Sequence, residues 1–161
     1  VIEGELTRMG IAPSVGQFFC RETRYTTTQR LLFLTHLRRL YPTGGLQSLV
    51  EDGNAARTES EELGVLHAVV LWAQMRRQQL IRQFFQADTP AAELQNGSVV
   101  VLQTVDYLTN VQPSLATIRE YRQSRPKSAA FLYITGTVSS SVREALQAAQ
   151  VKLAERGNRP G

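Results

Sequence analysis

The sequence reads as a mixed α/β (α+β) chain: an N-terminal helical region with a long central helix, then a small β-α-β-α unit with a short parallel sheet. Three observations carry this. From Glu59 to Gln86 apolar residues recur at helical spacing, through Leu63, Leu66, Val70, Ala73, Leu80 and Phe84, and at about 1.5 Å of rise per residue that stretch is roughly 40 Å long. From Ser98 to Val105 the period switches to a β-branched, nearly continuous apolar run, the pattern of a strand covered on both faces. Ala129 to Thr135 is a second such run, and Leu115, Ile118 and Tyr121 mark a helix between the two. A strand, a helix and a strand in that order predict parallel neighbours joined by a right-handed crossover.

The earlier elements follow from spacing and punctuation. Ile2, Leu6 and Met9 predict a short helix closed by Gly10, and Pro13-Ser14 starts another carrying Val15, Phe18 and Phe19. Thr26 to Thr28 offer a capping hydroxyl for a helix over Gln29 to Tyr41 with Leu31, Leu34, Leu37 and Leu40 on its stripe, and Pro42 with Gly44-Gly45 ends it. Leu46 to Val50 adds one turn before Gly53-Asn54. Thr58 and Glu61 form a capping box at the start of the central helix.

Asp88-Thr89-Pro90 divides the chain into a helical subdomain, 1–87, and a small α/β subdomain, 88–161. Ala91 to Gln95 reads as a short helical turn ended by Asn96-Gly97. Pro113 opens the crossover helix and Ser124-Arg125-Pro126 breaks it. Ser141 and Glu144 cap a last amphipathic helix through Val142, Ala145, Leu146, Ala149 and Leu153, stopping before Gly157. Two parallel strands are too few to stand alone. The expected completion is an extended N-terminal piece, a strand from the remainder of a parent protein, or a strand from a partner.

With 161 residues, 42% of them hydrophobic and 20% charged, the chain suits one domain or two small ones. No run reaches the roughly 20 apolar residues of a membrane helix, so no membrane is expected as a partner. The single Cys20 makes no internal disulfide, which favours a reducing, cytoplasmic setting. An opening at Val1 and a loose Gly157-Asn158-Arg159-Pro160-Gly161 ending suggest a piece excised from a larger protein.

Catalytic residue types are scarce. His36 and His67 both sit inside helical patterns, and there is no HxxxH, HxxE or CxxC spacing, so no metal, cofactor or catalytic residue is expected. A Cys20–His36 nucleophile pair is conceivable, but Phe18 and Phe19 beside the thiol fit a small buried group better. The best ligand candidate lies at the carboxyl ends of the two strands: Asp106, and the Thr135 to Ser141 loop with Gly136, Ser139 and Ser140 leading into a helix start. Serines there serve more commonly as caps. The net charge of +4 comes from 16 Arg and 2 Lys against 14 acids. Two basic clusters, Arg76, Arg77 and Arg82 on the central helix and Arg119, Arg122, Arg125 and Lys127 around Tyr121, are candidates for nucleic acid.

The expected function is a non-catalytic protein-interaction or assembly domain that meets a protein partner or the remainder of its parent chain. A basic nucleic-acid-binding accessory module is the alternative. A phosphate- or ligand-binding enzyme fragment using the 135–141 loop comes third.

Overall fold

The computed structural model describes residues 1–77, 80–85, 87 and 89–155, with Arg77 described through its backbone alone. The junction residue Asp88 and the tail from Gly157 therefore lie outside the described residues. The fold is α/β mixed, and the chain forms two compact units, Val1–Phe84 and Phe85–Gly161.

The first unit is helical: α1 (Ile2–Arg8), α2 (Pro13–Arg21), α3 (Thr27–Leu40), α4 (Leu46–Ala55) and α5 (Glu59–Arg77). Local chemistry explains the boundaries. Gly10, at φ +87°, follows α1, and Pro13 takes the first position of α2, where no backbone donor is needed. Thr26 and Gln29 form a capping box on α3, and Thr58 and Glu61 form one on α5, where Thr58 Oγ1 accepts from the Glu61 amide at 3.1 Å.

The core of this unit grows from an aromatic cluster. Phe19, Tyr25 and Phe33 are buried with ring centroids 4.9 to 6.2 Å apart. Such tilted contacts suit the quadrupoles of the rings. α4 comes against them at Gly53, where an added Cβ would stand 3.4 Å from the Phe33 ring. Hence α4 runs on through Gly53-Asn54, beyond the single turn the sequence suggests.

The central helix differs from its sequence reading in length and in facing. It closes at Arg77 rather than Gln86, and Ile81–Phe85 is a strand, β1, in which Phe84 donates its amide to the Gly44 carbonyl at 2.8 Å. A run of Ile, Phe and Phe satisfies a strand as well as a helix, and pairing at Gly44 decides between them. The buried stripe runs through Glu62, Leu66, Val69, Trp72 and Ala73, whereas Leu63 is exposed. Trp72 is fully buried and meets Phe84 edge-on at 5.4 Å.

The second unit contains β2 (Ala91–Leu94), β3 (Val99–Gln103), β4 (Tyr107–Leu108), α6 (Gln112–Ser124), β5 (Ala130–Ile134), β6 (Thr137–Val138), α7 (Ser140–Ala148) and β7 (Val151–Ala154). Its strands run in the order β2-β3-β5-β7. β3 and β5 are parallel in the register Val99↔Ala130 to Gln103↔Ile134, β7 continues the parallel set, and β2 pairs antiparallel with β3. The sheet is thus completed from within its own chain, by two segments that the sequence reads as helix. Ala91–Leu94 is a strand because Asn96-Gly97, with Gly97 at φ +86°, makes a hairpin turn. Val151–Ala154 is a strand because Gln150, at φ +56°, turns the chain out of α7.

Val99, Val101, Leu132 and Ile134 face a core that includes Ile118, Tyr121, Val142 and Leu146, all buried. Val100 and Leu102, on the opposite face of β3, are buried as well, which accounts for the unbroken apolar run.

Trp72→Ala is expected to destabilise the first unit by about 3–5 kcal/mol, the usual range for an aromatic truncated in a packed core. Urea denaturation of the chain, followed by far-ultraviolet circular dichroism, measures it.

Candidate functional site

The structure engages Arg76, Arg122 and Arg125, among the seven basic candidates, in its own architecture. Arg122, on α6, donates through Nε to the Ser128 carbonyl at 3.1 Å, through Nη1 to Ala149 at 2.7 Å and through Nη2 to Gln150 at 3.0 Å. Ala149 closes α7, so this planar fork satisfies carbonyls that the helix end leaves open. Arg125 stacks over the Tyr121 ring at 5.1 Å and pairs with Glu93 at 3.3 Å. Arg76 donates to Thr43 Oγ1 at 3.0 Å. Arg82, Arg119 and Lys127 are exposed, and the Arg77 side chain lies outside the described residues.

Glu93 is the residue that explains Arg125. Its side chain is 2% exposed on β2, a position the sheet would normally fill with an apolar group. Tyr121 Oη lies 2.9 Å from the Glu93 carboxylate and 2.7 Å from the Gly97 carbonyl, which ties α6 to the hairpin. Burial first, and then the Glu93 hydrogen bond and charge, hold the Tyr121 phenol above its usual range. Phe85 stacks on Tyr121 with ring centroids 5.8 Å apart. Beside the cluster an open cleft of about 560 Å³ is lined by Asn96 to Ser98 and Arg125 to Ala129, Lys127 included.

The strand-end candidates do come together. Asp106 and Gly136 touch through their backbones, so closely that a Cβ on Gly136 would strike the Asp106 carbonyl. Thr137 donates to the Asp106 carbonyl at 2.9 Å, and Ser139 donates to Leu108 at 3.0 Å. These bonds belong to the β4–β6 ladder. Ser139 caps α7, its hydroxyl accepting from the Val142 amide at 3.2 Å, and it lies 3.0 Å from the Ser141 hydroxyl. Ser140 and the Asp106 side chain are exposed. The amides of Thr137, Ser139, Val142 and Arg143 are all taken within the chain.

The histidines are core and surface groups: His36 is buried in α3, and His67 is exposed on α5. Burial raises the Cys20 thiol above its ordinary value, the direction opposite to an activated nucleophile. Among the described residues no three His, Cys, Asp or Glu side chains come together as a metal-binding group.

A further site is absent from the sequence reading. α3 and α5 start at the same place, because Tyr25, two residues before α3, donates to the Glu62 carbonyl in the first turn of α5 at 3.4 Å. There a pocket of about 200 Å³ opens between Phe18, Glu22, Arg24, Asn54, Arg57 and Glu62. Glu62 is 5% exposed, yet its carboxylate has no hydrogen-bond or ion-pair partner among the described residues. Burial, then Glu62, then Asp52 push the Tyr25 phenol above its usual range, so two carboxylates act on one hydroxyl. The one clue in the sequence is a glutamate on the buried stripe of α5, four residues before Leu66.

No protein-family model, curated protein or solved structure matches the chain.

Two outcomes follow from this geometry. Arg122→Ala leaves three carbonyls without their donor and is expected to destabilise the second unit by about 1–3 kcal/mol, whereas the exposed Arg119→Ala changes stability by less than about 0.5 kcal/mol. Comparison of the two variants in urea checks it. Burial, followed by the Glu51 charge, pushes the Asp52 carboxyl up to about 7 from its ordinary 3.8. The folded chain therefore holds that proton up to about pH 7, while the unfolded chain releases it near pH 4. The stability this group contributes is complete below about pH 4 and falls as pH rises towards 7. Asp52→Asn should accordingly gain stability over wild type progressively between pH 4 and 7, as measured by urea midpoints across that range.

Proposed function

We propose that this chain is a non-catalytic protein-interaction or assembly domain, with its contact surface at the end of the first unit where α3 and α5 start. The observation that carries this reading is the exposure of large apolar side chains there. Phe18, Leu31, Leu32 and Leu63 each leave 41 to 49% of their surface open to solvent. Phe18 lines the pocket at that end, Leu63 follows Glu62, and Leu31 and Leu32 lie within about a turn and a half of the start of α3. A helix solvated on that side has no need of leucine, and covering one such side chain contributes about 1.5–3 kcal/mol. The occupant is an apolar segment of a protein partner, seated on the leucines and Phe18.

Nucleic acid is the weaker reading because Arg122 and Arg125, its best-placed residues, already bond within the chain. A phosphate contact by either would break an existing bond first.

Photo-crosslinkers placed at Leu32 and Leu63 in cells, with Arg39 as an exposed control on the same helix, identify the partner. The partner is then purified and titrated with the chain. The expected result is binding that falls at least tenfold for the Leu32→Asp, Leu63→Asp double variant with its helical spectrum unchanged. Absence of adducts at both leucines, or binding equal in wild type and variant, would overturn the reading.

A further inference from the structure

We propose that the pocket where α3 and α5 start binds a small zwitterion of the α-amino acid class, its ammonium at Glu62 and Asn54 and its carboxylate at Arg24 and Arg57. The floor of the site asks for donors. Glu62 is almost wholly buried, and its carboxylate has no partner among the described residues. A carboxylate that lines a pocket favours a group of opposite sign there. Asn54 adds a second acceptor: its Nδ2 donates to the Val15 carbonyl at 3.1 Å, while its Oδ1 is buried without a partner. The bond to a carbonyl fixes which end of the amide is which, because reversing it would set oxygen against oxygen. A carboxylate and an amide oxygen lining one pocket match an ammonium, which carries three donors and a positive charge.

The rim asks for the opposite. Arg24 and Arg57 are exposed and make no ion pair among the described residues. Guanidinium forks of this kind pair bidentately with a carboxylate. Opposite requirements on the floor and rim of one pocket describe a ligand with an ammonium and a carboxylate a few bonds apart. Size narrows the class: at about 200 Å³ the space holds roughly six or seven water-sized groups, at about 30 Å³ each. That suits a ligand with a short side chain, such as alanine, serine or valine. The Phe18 ring at the edge offers an apolar contact to a short side chain.

Isothermal titration of the chain with L-alanine, L-serine and L-valine tests the site, and the measurement needs no protein partner. Methylamine and acetate serve as the two halves of the ligand. The expected result is binding of at least one amino acid, with each half at least tenfold weaker. Glu62→Gln, which keeps the shape and removes the charge, should weaken the amino acid about tenfold, and so should Arg24→Ala with Arg57→Ala. The arginine variants lie on the exposed rim and keep the test valid should Glu62→Gln fail to fold. Absence of binding to all three amino acids, affinities unmoved by the substitutions, or methylamine binding as tightly as alanine would each overturn the proposal.

Discussion

The first unit depends on one packing constraint, the contact of three aromatic rings, Phe19, Tyr25 and Phe33, with a helix that comes against them at the buried Gly53. The rings bring α2 and α3 together, and α4 lies against them at Gly53. Once α4 is held there, Asn54 is carried to the pocket and Tyr25 is aimed at the first turn of α5. The polar site is therefore a by-product of apolar packing. Its residues come from four separate segments, and no local motif could have announced it.

In the second unit the governing constraint is polar rather than apolar. A parallel ladder leaves its strands buried on both faces, so each polar group inside must be matched. Glu93 is matched by Tyr121 and Arg125, and the carbonyls at the end of α7 are matched by Arg122. Three side chains from one short stretch of α6 and its exit thus hold the hairpin, the breaker loop and the last helix. The arginine bias of the sequence has a structural account at these positions, since a lysine offers no fork to span three carbonyls.

The fold class was legible because two β-branched runs separated by a helical period leave few topologies open. What could not be read was the state of segments where the two periods compete. Ile81 to Phe85, Ala91 to Leu94 and Val151 to Ala154 are short apolar runs that satisfy either pattern, and long-range pairing assigns all three to strands. The Asn96-Gly97 pair could have corrected one of them, because it is a hairpin signal and was read as a helix stop. The facing of α5 was missed for another reason. Leu63 and Leu66 both fit a stripe by spacing, and only the position of Trp72 shows that the buried face runs through Glu62. Among the candidate residues, the strand ends placed Asp106 near Gly136 through topology alone. The bonds of Arg122 and Arg125 could not be foreseen, because they depend on where loops end.

The three bonds of Arg122 have a consequence for motion. Ser128 precedes β5, whereas Ala149 and Gln150 join α7 to β7, the last strand of the sheet order. An outermost strand ordinarily frays on its own, its amides trading hydrogen with solvent long before the centre opens. Here the strand is leashed at its start to α6, four elements earlier in the chain, so that peeling it away also uncovers the end of α7 and frees the loop before β5. The edge of the sheet and its interior should open as one cooperative block, with hydrogen exchange in β7 tracking that of α7.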